Sequence, residues 1–237
     1  MSNDRLRNEV DFHNKRYKNI NERSETSLFY CALSNIYDDY IKVIKKNDDF
    51  NKSFLEIGVG KASYASFVSK AIYHGIDCSD IAVNYCNKKF LNHKNINFYV
   101  KDAHKTNFPN NHFDLIFGMG ILHHLDFNKA IHEIKRISRS SNILFVEPLQ
   151  SNYFVRLYRL LSPDSRSPDE KPLNLYQIDY IIKNFKGVKV YYYGLTSLLL
   201  IVLRVKMFRS FFFSLDNYLS RFKFLRKLYW AVLITRS

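Results

Sequence analysis

The sequence predicts an α/β protein built on a doubly wound, mostly parallel sheet of seven strands with helices on both faces. Two patterns carry that expectation. Between residues 53 and 148, short apolar runs alternate with helical stretches, which is the rhythm of βαβ units. Each run ends at a glycine, an acid or a proline, at the edge where a parallel sheet opens onto its ligand crevice. The composition agrees: 237 residues, 46 % hydrophobic and 24 % charged, can bury a full core, and wholesale disorder is excluded.

Residues 1–50 form an N-terminal helical segment. Leu28, Phe29, Leu33, Ile36, Tyr37, Tyr40, Ile41 and Ile44 recur at the three- and four-residue intervals of an amphipathic helix. A core over residues 51–150 opens with the strand FLEIG, which stops at a glycine turn. ASYASFVSKAIY has helical periodicity, and YHGIDCS is the second strand. Residues 80–93 read as a helix, INFYVKDA and FDLIFGMG as strands, FNKAIHEIKRIS as a helix and ILFVEP as the fifth strand. Residues 151–237 complete the same domain. Pro163, Pro168 and Pro172 set a loop or lid after a short helix, and residues 174–185 return to helical spacing. VKVYYYGL and LYWAVLITR are the last two strands, separated by a helical insertion rich in Leu, Phe, Lys and Arg.

The net charge of +14 is unevenly spread. Residues 1–149 carry 21 Lys/Arg against 17 Asp/Glu, residues 150–237 carry 15 against 5, and Asp216 is the single acid after residue 182. Such asymmetry calls for an anionic partner: lipid head groups, nucleic acid or a phosphorylated substrate. The apolar run Leu198–Leu203 is stopped by Arg204 and Lys206, short of the roughly 20 residues that a spanning helix needs. Residues 198–227 interleave Phe, Leu and Tyr with basic residues. That suits an anionic membrane surface, and equally a cover over a pocket or a dimer seam. Three cysteines, Cys31, Cys78 and Cys86, cannot pair completely and point to a reducing, cytoplasmic location. The polar N-terminus predicts no signal peptide.

Glu56-Ile57-Gly58-Val59-Gly60-Lys61-Ala62 reads as a strand entering a tight glycine turn, where the backbone can approach a ligand closely. Asp77 ends the next strand, placed to accept both hydroxyls of a ribose, and Asp102-Ala103 ends the third, where an adenine edge can be held. A dinucleotide dehydrogenase would want a third glycine where Ser63 stands, and Glu56 would repel a pyrophosphate. The charge instead favours a cationic or amino-bearing ligand.

These motifs resemble the core of class I S-adenosylmethionine-dependent methyltransferases of the small-molecule branch. The run from Glu56 to Ala62 is similar to E/D-x-G-x-G-x-G, with Ala62 in place of the last glycine. Asn110-Asn111-His112-Phe113-Asp114-Leu115-Ile116-Phe117 resembles the fourth-strand signature, and Ile121-Leu122-His123-His124-Leu125 the V-L-H-H-L that follows it. The turn usually written R-V-L-K-P-G-G is here Arg136-Ile137-Ser138-Arg139-Ser140-Ser141-Asn142. The resemblance implies a Rossmann-like fold and S-adenosylmethionine bound by Glu56, Gly58, Gly60, Asp77, Asp102, Ala103, Gly118 and Met119. It also implies methyl transfer to a hydroxyl or amine of a small molecule such as a sugar, a polysaccharide precursor or a quinone-like lipid.

His123, His124 and Glu147 are the candidate bases, since each follows a strand end and an imidazole suits a hydroxyl proton. Arg156, Arg159 and Arg166, with Asp164, Asp169 and Glu170, decorate the loop or lid and would suit an anionic acceptor. His13, His74, His93, His104, His112 and His132 show no ligand-like grouping and read as surface or helix residues. No metal is expected. The alternatives are an RNA methyltransferase and a cofactor-binding, non-catalytic membrane partner. Nucleic acid is disfavoured because L-H-H-L stands where many base methylators carry N/D-P-P-[YF].

Overall fold

Apolar residues fill both faces of the strands, so the sheet is sandwiched between helices. A computed structural model describes residues 3–19, 28–150, 152, 170–203 and 207–236. Within them the strands are β1 (Ser53–Ile57), β2 (Ile72–Asp77), β3 (Ile96–Val100), β4 (Leu115–Met119), β5 (Ile143–Pro148), β6 (Lys189–Tyr193) and β7 (Ala231–Thr235). The helices are α1 (Asn3–Asn19), α2 (Leu28–Asn47), α3 (Asp80–Lys89), α4 (Phe127–Ile137), α5 (Leu175–Asn184), α6 (Leu199–Leu203) and α7 (Arg209–Leu219).

The sheet order is β3-β2-β1-β4-β5-β7-β6. β1 to β5 run parallel, and β7 lies antiparallel between β5 and β6. This is the expected Rossmann-like, mostly parallel seven-stranded sheet. Strand order reverses between β1 and β4, which makes their carboxyl ends the natural ligand crevice. There Glu56 stands beside Phe117, Gly118 beside Phe145 and Met119 beside Val146.

Alternation along β1 sorts the core into two layers. Phe54 joins Leu33, Ile36, Tyr40 and Ile44 of α2 and Val83 of α3; the side chains of Leu28 and Phe29 are not among those described. Leu55 and Ile57 join Ile131 and Ile134 of α4 and Ile178 and Ile181 of α5. α4 is held at its start by Asp126, whose carboxylate accepts from the Lys129 N–H at 3.3 Å, a cap worth about 1 kcal/mol.

The helix expected after the glycine turn does not form. Residues 61–71 contain one short 3-10 turn, Tyr64–Phe67, started by Ser63, whose hydroxyl accepts from the Ala65 N–H at 3.1 Å. The Asp48 carboxylate takes the N–H groups of Ser69, Lys70 and Ala71 at 2.8–3.0 Å, donors that a helix would have used internally. α2 fills the space instead, with Tyr40 packed edge-on against Tyr64 at 4.8 Å. The glycine turn therefore lacks a following α-helix to supply free N–H groups.

In the insertion, α6 and α7 are followed by a 3-10 turn, Lys223–Leu228. Asp216 is buried and structural: it accepts from the N–H groups of Leu195, Thr196 and Ser197 and from the Thr196 hydroxyl at 2.6–3.3 Å. Residues 204–206 and the loop residues Arg156, Arg159, Asp164, Arg166 and Asp169 lie outside the described residues. No helix among the described residues is long and apolar enough to cross a membrane.

Candidate active site

The turn after β1 is made by Gly58 and Gly60, at φ +75° and +50°, a backbone region that strains residues with a side chain. The Gly60 N–H donates to Asp77 Oδ2 at 2.9 Å, and Asp77 Oδ1 accepts from the Ser79 N–H at 2.9 Å. Asp77 thus ties the end of β2 to the glycine turn across 17 residues of sequence. Burial raises its pKa.

Glu56 lies 2 % exposed beneath the turn. Its Oε2 accepts from the Ser63 hydroxyl and the Tyr64 N–H, each at 3.0 Å, and from the Tyr73 hydroxyl. Burial pushes the carboxyl up to about 8 against the pull of these donors. A carboxyl held that way is neutral at neutral pH until a cation approaches it.

At the end of β3, Asp102 accepts from the His104 N–H at 2.9 Å and pairs with His104 Nδ1 at 2.5 Å, which holds its pKa below the usual range. His104 Nε2 accepts from the Asp126 N–H at 2.9 Å, so His104 ties β3 to the start of α4. It is buried, not a surface residue as the sequence suggests. Ala103 packs into the core with Leu55, Ile57 and Ile76. His74, on β2, and His112 are half-buried among aromatic rings, where the sequence suggests a surface or helix position. The His74 ring meets Tyr99, Phe108, His112 and Phe113 at 5.5–6.0 Å, and burial lowers its pKa to about 4.

Gly118 leaves the narrow gap between β1 and β4 open: a Cβ there would stand 2.7 Å from Ile121 Cγ2 and 2.8 Å from the Ile57 carbonyl oxygen. Met119 Sδ accepts from the Tyr64 hydroxyl at 3.0 Å. Beyond it, the short turn Leu122–His124 presents its N–H groups to Glu147. The fully buried Glu147 carboxylate accepts from Ile121 at 2.9 Å and Leu122 at 2.8 Å, and meets His123 Nδ1 at 2.6 Å. A proton on Nδ1 in that pair leaves Nε2 with the basic lone pair. Nε2 lies 3.8 Å from Glu170. A cleft of about 360 Å³ opens beside His123, lined also by Leu122, Lys171 and Tyr176.

The His124 ring lies 4.2 Å from that of His123 and also meets α1. Its Nδ1 lies 3.2 Å from Glu9 Oε2 of α1, and burial lowers its pKa. α1 lies over the glycine turn and the end of β2. The Tyr17 hydroxyl is 2.8 Å from where a Cβ on Gly60 would stand, the Lys61 ammonium donates to the Tyr17 carbonyl, and Ser79 meets Asn14 at 2.5 Å. The fold thus brings Glu56, Gly58, Gly60 and Asp77 together at one edge and His123 and Glu147 at the next. The sequence reading missed the α1 residues Glu9, His13 and Tyr17, though the four-residue spacing of Glu9 and His13 marks one helix face.

A family model described as a methyltransferase domain matches residues 55–146. No curated protein matches the sequence. Among solved structures, the chain is similar to geranyl diphosphate C-methyltransferase from Streptomyces coelicolor A3(2), at 10 % identity and a TM-score of 0.66, covering 100 % of this chain and 99 % of that one. It is similar to phosphoethanolamine N-methyltransferase 2 from Haemonchus contortus at 17 % identity and a TM-score of 0.60, covering 96 % of this chain and 59 % of that one. The chain therefore spans about three fifths of the nematode enzyme. A SAM-dependent methyltransferase from Archaeoglobus fulgidus matches at 15 % identity and a TM-score of 0.59, covering 86 % of this chain and 94 % of that one. At these identities the likenesses bear on the fold. Over residues 55–146 the chain is thus similar to methyltransferase domains, and it shares the Rossmann-like fold of these solved structures.

Proposed function

We propose that this chain methylates a hydroxyl or amine of a small molecule, with His123 as the base and Glu147 as the group that orients it. The residues at the crevice fit S-adenosylmethionine. Gly58 and Gly60 form a turn without side chains, Asp77 stands at the adjacent strand end, and Gly118 keeps the gap toward Met119 open. The cofactor supplies an activated methyl on sulfur. Glu56, neutral in the free protein, would ionise to face the ligand's cationic groups. Asp102 and Ala103 would flank the adenine.

The observation that carries the reading is the 2.6 Å pairing of His123 with a fully buried carboxylate at the ends of β4 and β5. Glu147 holds the proton on Nδ1, and its burial leaves it no direct path to an acceptor. With the cofactor bound, Nε2 of His123 would take the proton that the acceptor oxygen or nitrogen gives up as it gains the methyl. General-base assistance of this kind contributes roughly 10²–10⁴-fold. Two of the solved structures named above hold small phosphorylated molecules, which supports a small acceptor here.

Tritiated methyl transfer into a cell extract fractionated as small molecules, lipid and RNA tests this. His123→Asn should lose most transfer while keeping cofactor binding by calorimetry, and Asp77→Ala should lose binding. Label in RNA, or undiminished transfer by His123→Asn, would overturn the assignment.

A second reading concerns where the acceptor is met. Phe211 and Tyr218 lie seven residues apart on α7, Phe208 and Phe222 flank its two ends, and all are exposed, as are Met207 and Phe224. Arg209, Arg221, Lys223 and Lys227 flank them and are exposed too. We infer that this stripe docks on an anionic lipid surface, because aromatic rings flanked by cations match that interface. Flotation with phosphatidylserine vesicles should recover the wild type but not a Phe211→Ser/Phe224→Ser variant; equal recovery would refute it.

A further inference from the structure

The inner surface of α1 carries a cluster that the methyltransferase reading does not use. Glu9 and His13 are one helical turn apart and point at the same place, where His124 arrives from the turn after β4. The three side chains are 6 %, 16 % and 10 % exposed. Each offers one ligand atom, and these atoms lie within 4.8 Å of one another. The sequence offers no such grouping, because 111 residues separate His13 from His124.

Glu9 Oε2 lies 3.4 Å from His13 Nε2 and 3.2 Å from His124 Nδ1. A tetrahedral site with metal–nitrogen and metal–oxygen bonds of about 2.0–2.1 Å has ligand-to-ligand edges of about 3.3–3.4 Å. One measured separation falls at that edge length and the other just below it. Among the described residues His13 Nδ1 is buried without a hydrogen-bond partner, so the polar contact of this ring is made through Nε2, which faces Glu9. Two imidazoles with one carboxylate select a zinc-class ion over magnesium or calcium, which prefer oxygen alone. His124 also groups with His123 and Glu170 within the same distance, so further donors stand next to the open fourth position.

We propose that Glu9, His13 and His124 bind a zinc-class divalent ion that pins α1 to the turn after β4. The ion would join the helix carrying Tyr17 to the core, and so fix the roof over Gly60. The site stands on its own geometry and does not depend on the acceptor or on His123 as base.

The test uses the full chain stripped with a chelator, then titrated with Zn²⁺ against a chromophoric competitor, with Co²⁺ as a spectroscopic probe. Wild type should take one ion, with the visible bands of four-coordinate cobalt. His13→Ala should weaken zinc binding more than about 100-fold, beyond the loss expected when only an outer-sphere partner is removed. His93→Ala, a change at an exposed histidine outside the cluster, should leave it unchanged. Should His13→Ala fail to fold, Glu9→Gln reads the same loss. The absence of stoichiometric zinc in the wild type would overturn the proposal and leave a proton-bridged glutamate–histidine cluster. Unchanged affinity in His13→Ala or Glu9→Gln would also overturn it.

Discussion

Glu56 makes the folded protein sensitive to alkali in a way that can be worked out in advance. Burial raises its carboxyl from 4.5 to about 8, although Ser63, Tyr64 and Tyr73 all donate to it. Between those two values the folded chain holds a proton that the unfolded chain has released. Stability therefore falls as pH rises through this window, by up to about 1.4 kcal/mol per pH unit. From pH 5.5 to 7.5 the expected loss is about 2–3 kcal/mol. Glu56→Gln keeps an oxygen to accept those bonds and removes the ionisation. Urea denaturation of wild type and variant at several pH values isolates the contribution as a difference, since the buried Asp77 acts in the same direction in both. The wild type should lose stability relative to the variant by that amount as pH rises. Parallel curves would refute the idea that Glu56 is neutral in the free protein. The same reasoning predicts that cofactor binding at pH 7 releases a proton, visible as a calorimetric heat that depends on the buffer's ionisation enthalpy.

Other expectations are narrower. Gly118→Ala should destabilise the chain by about 1–3 kcal/mol in thermal melts, because its Cβ would meet the Ile57 carbonyl, which cannot move aside. Asp216→Ala strips the partner from three N–H groups and a hydroxyl, so at least about 3 kcal/mol should be lost, with limited proteolysis cutting first near residues 195–197. His74 has the opposite pH sign to Glu56: held neutral with its pKa near 4, it contributes stability that is present above pH 6.5 and lost as pH falls through 4. His74→Phe should flatten that acid limb of the denaturation profile; an unaltered limb would count against it.

The strands were legible because each buries a short apolar run between acids, glycines and prolines, and the pattern is local. The same held for α4, whose Ala130, Ile131, Ile134 and Ile137 recur on one face. ASYASFVSKAIY misled because its periodicity is as good as that of α4, while the group that prevents a helix there is the Asp48 carboxylate, well upstream in the chain. The histidines misled for a related reason. His74, His104 and His112 look like polar punctuation in the sequence, yet they are enclosed by rings or by Asp102 and Asp126 once the strands align.

By itself the sequence determined the sheet, the glycine turn with Asp77, and the pairing of chemistry with strand ends. These follow from hydrophobic period and backbone permissiveness, which neighbouring residues set. The tertiary structure alone decided that His123 has a buried carboxylate behind it. It also decided that α1 lies over the glycine turn with Tyr17 and that Glu9, His13 and His124 converge. Those contacts join segments about 20 to more than 100 residues apart, and burial, which sets their protonation, exists only after the chain has packed.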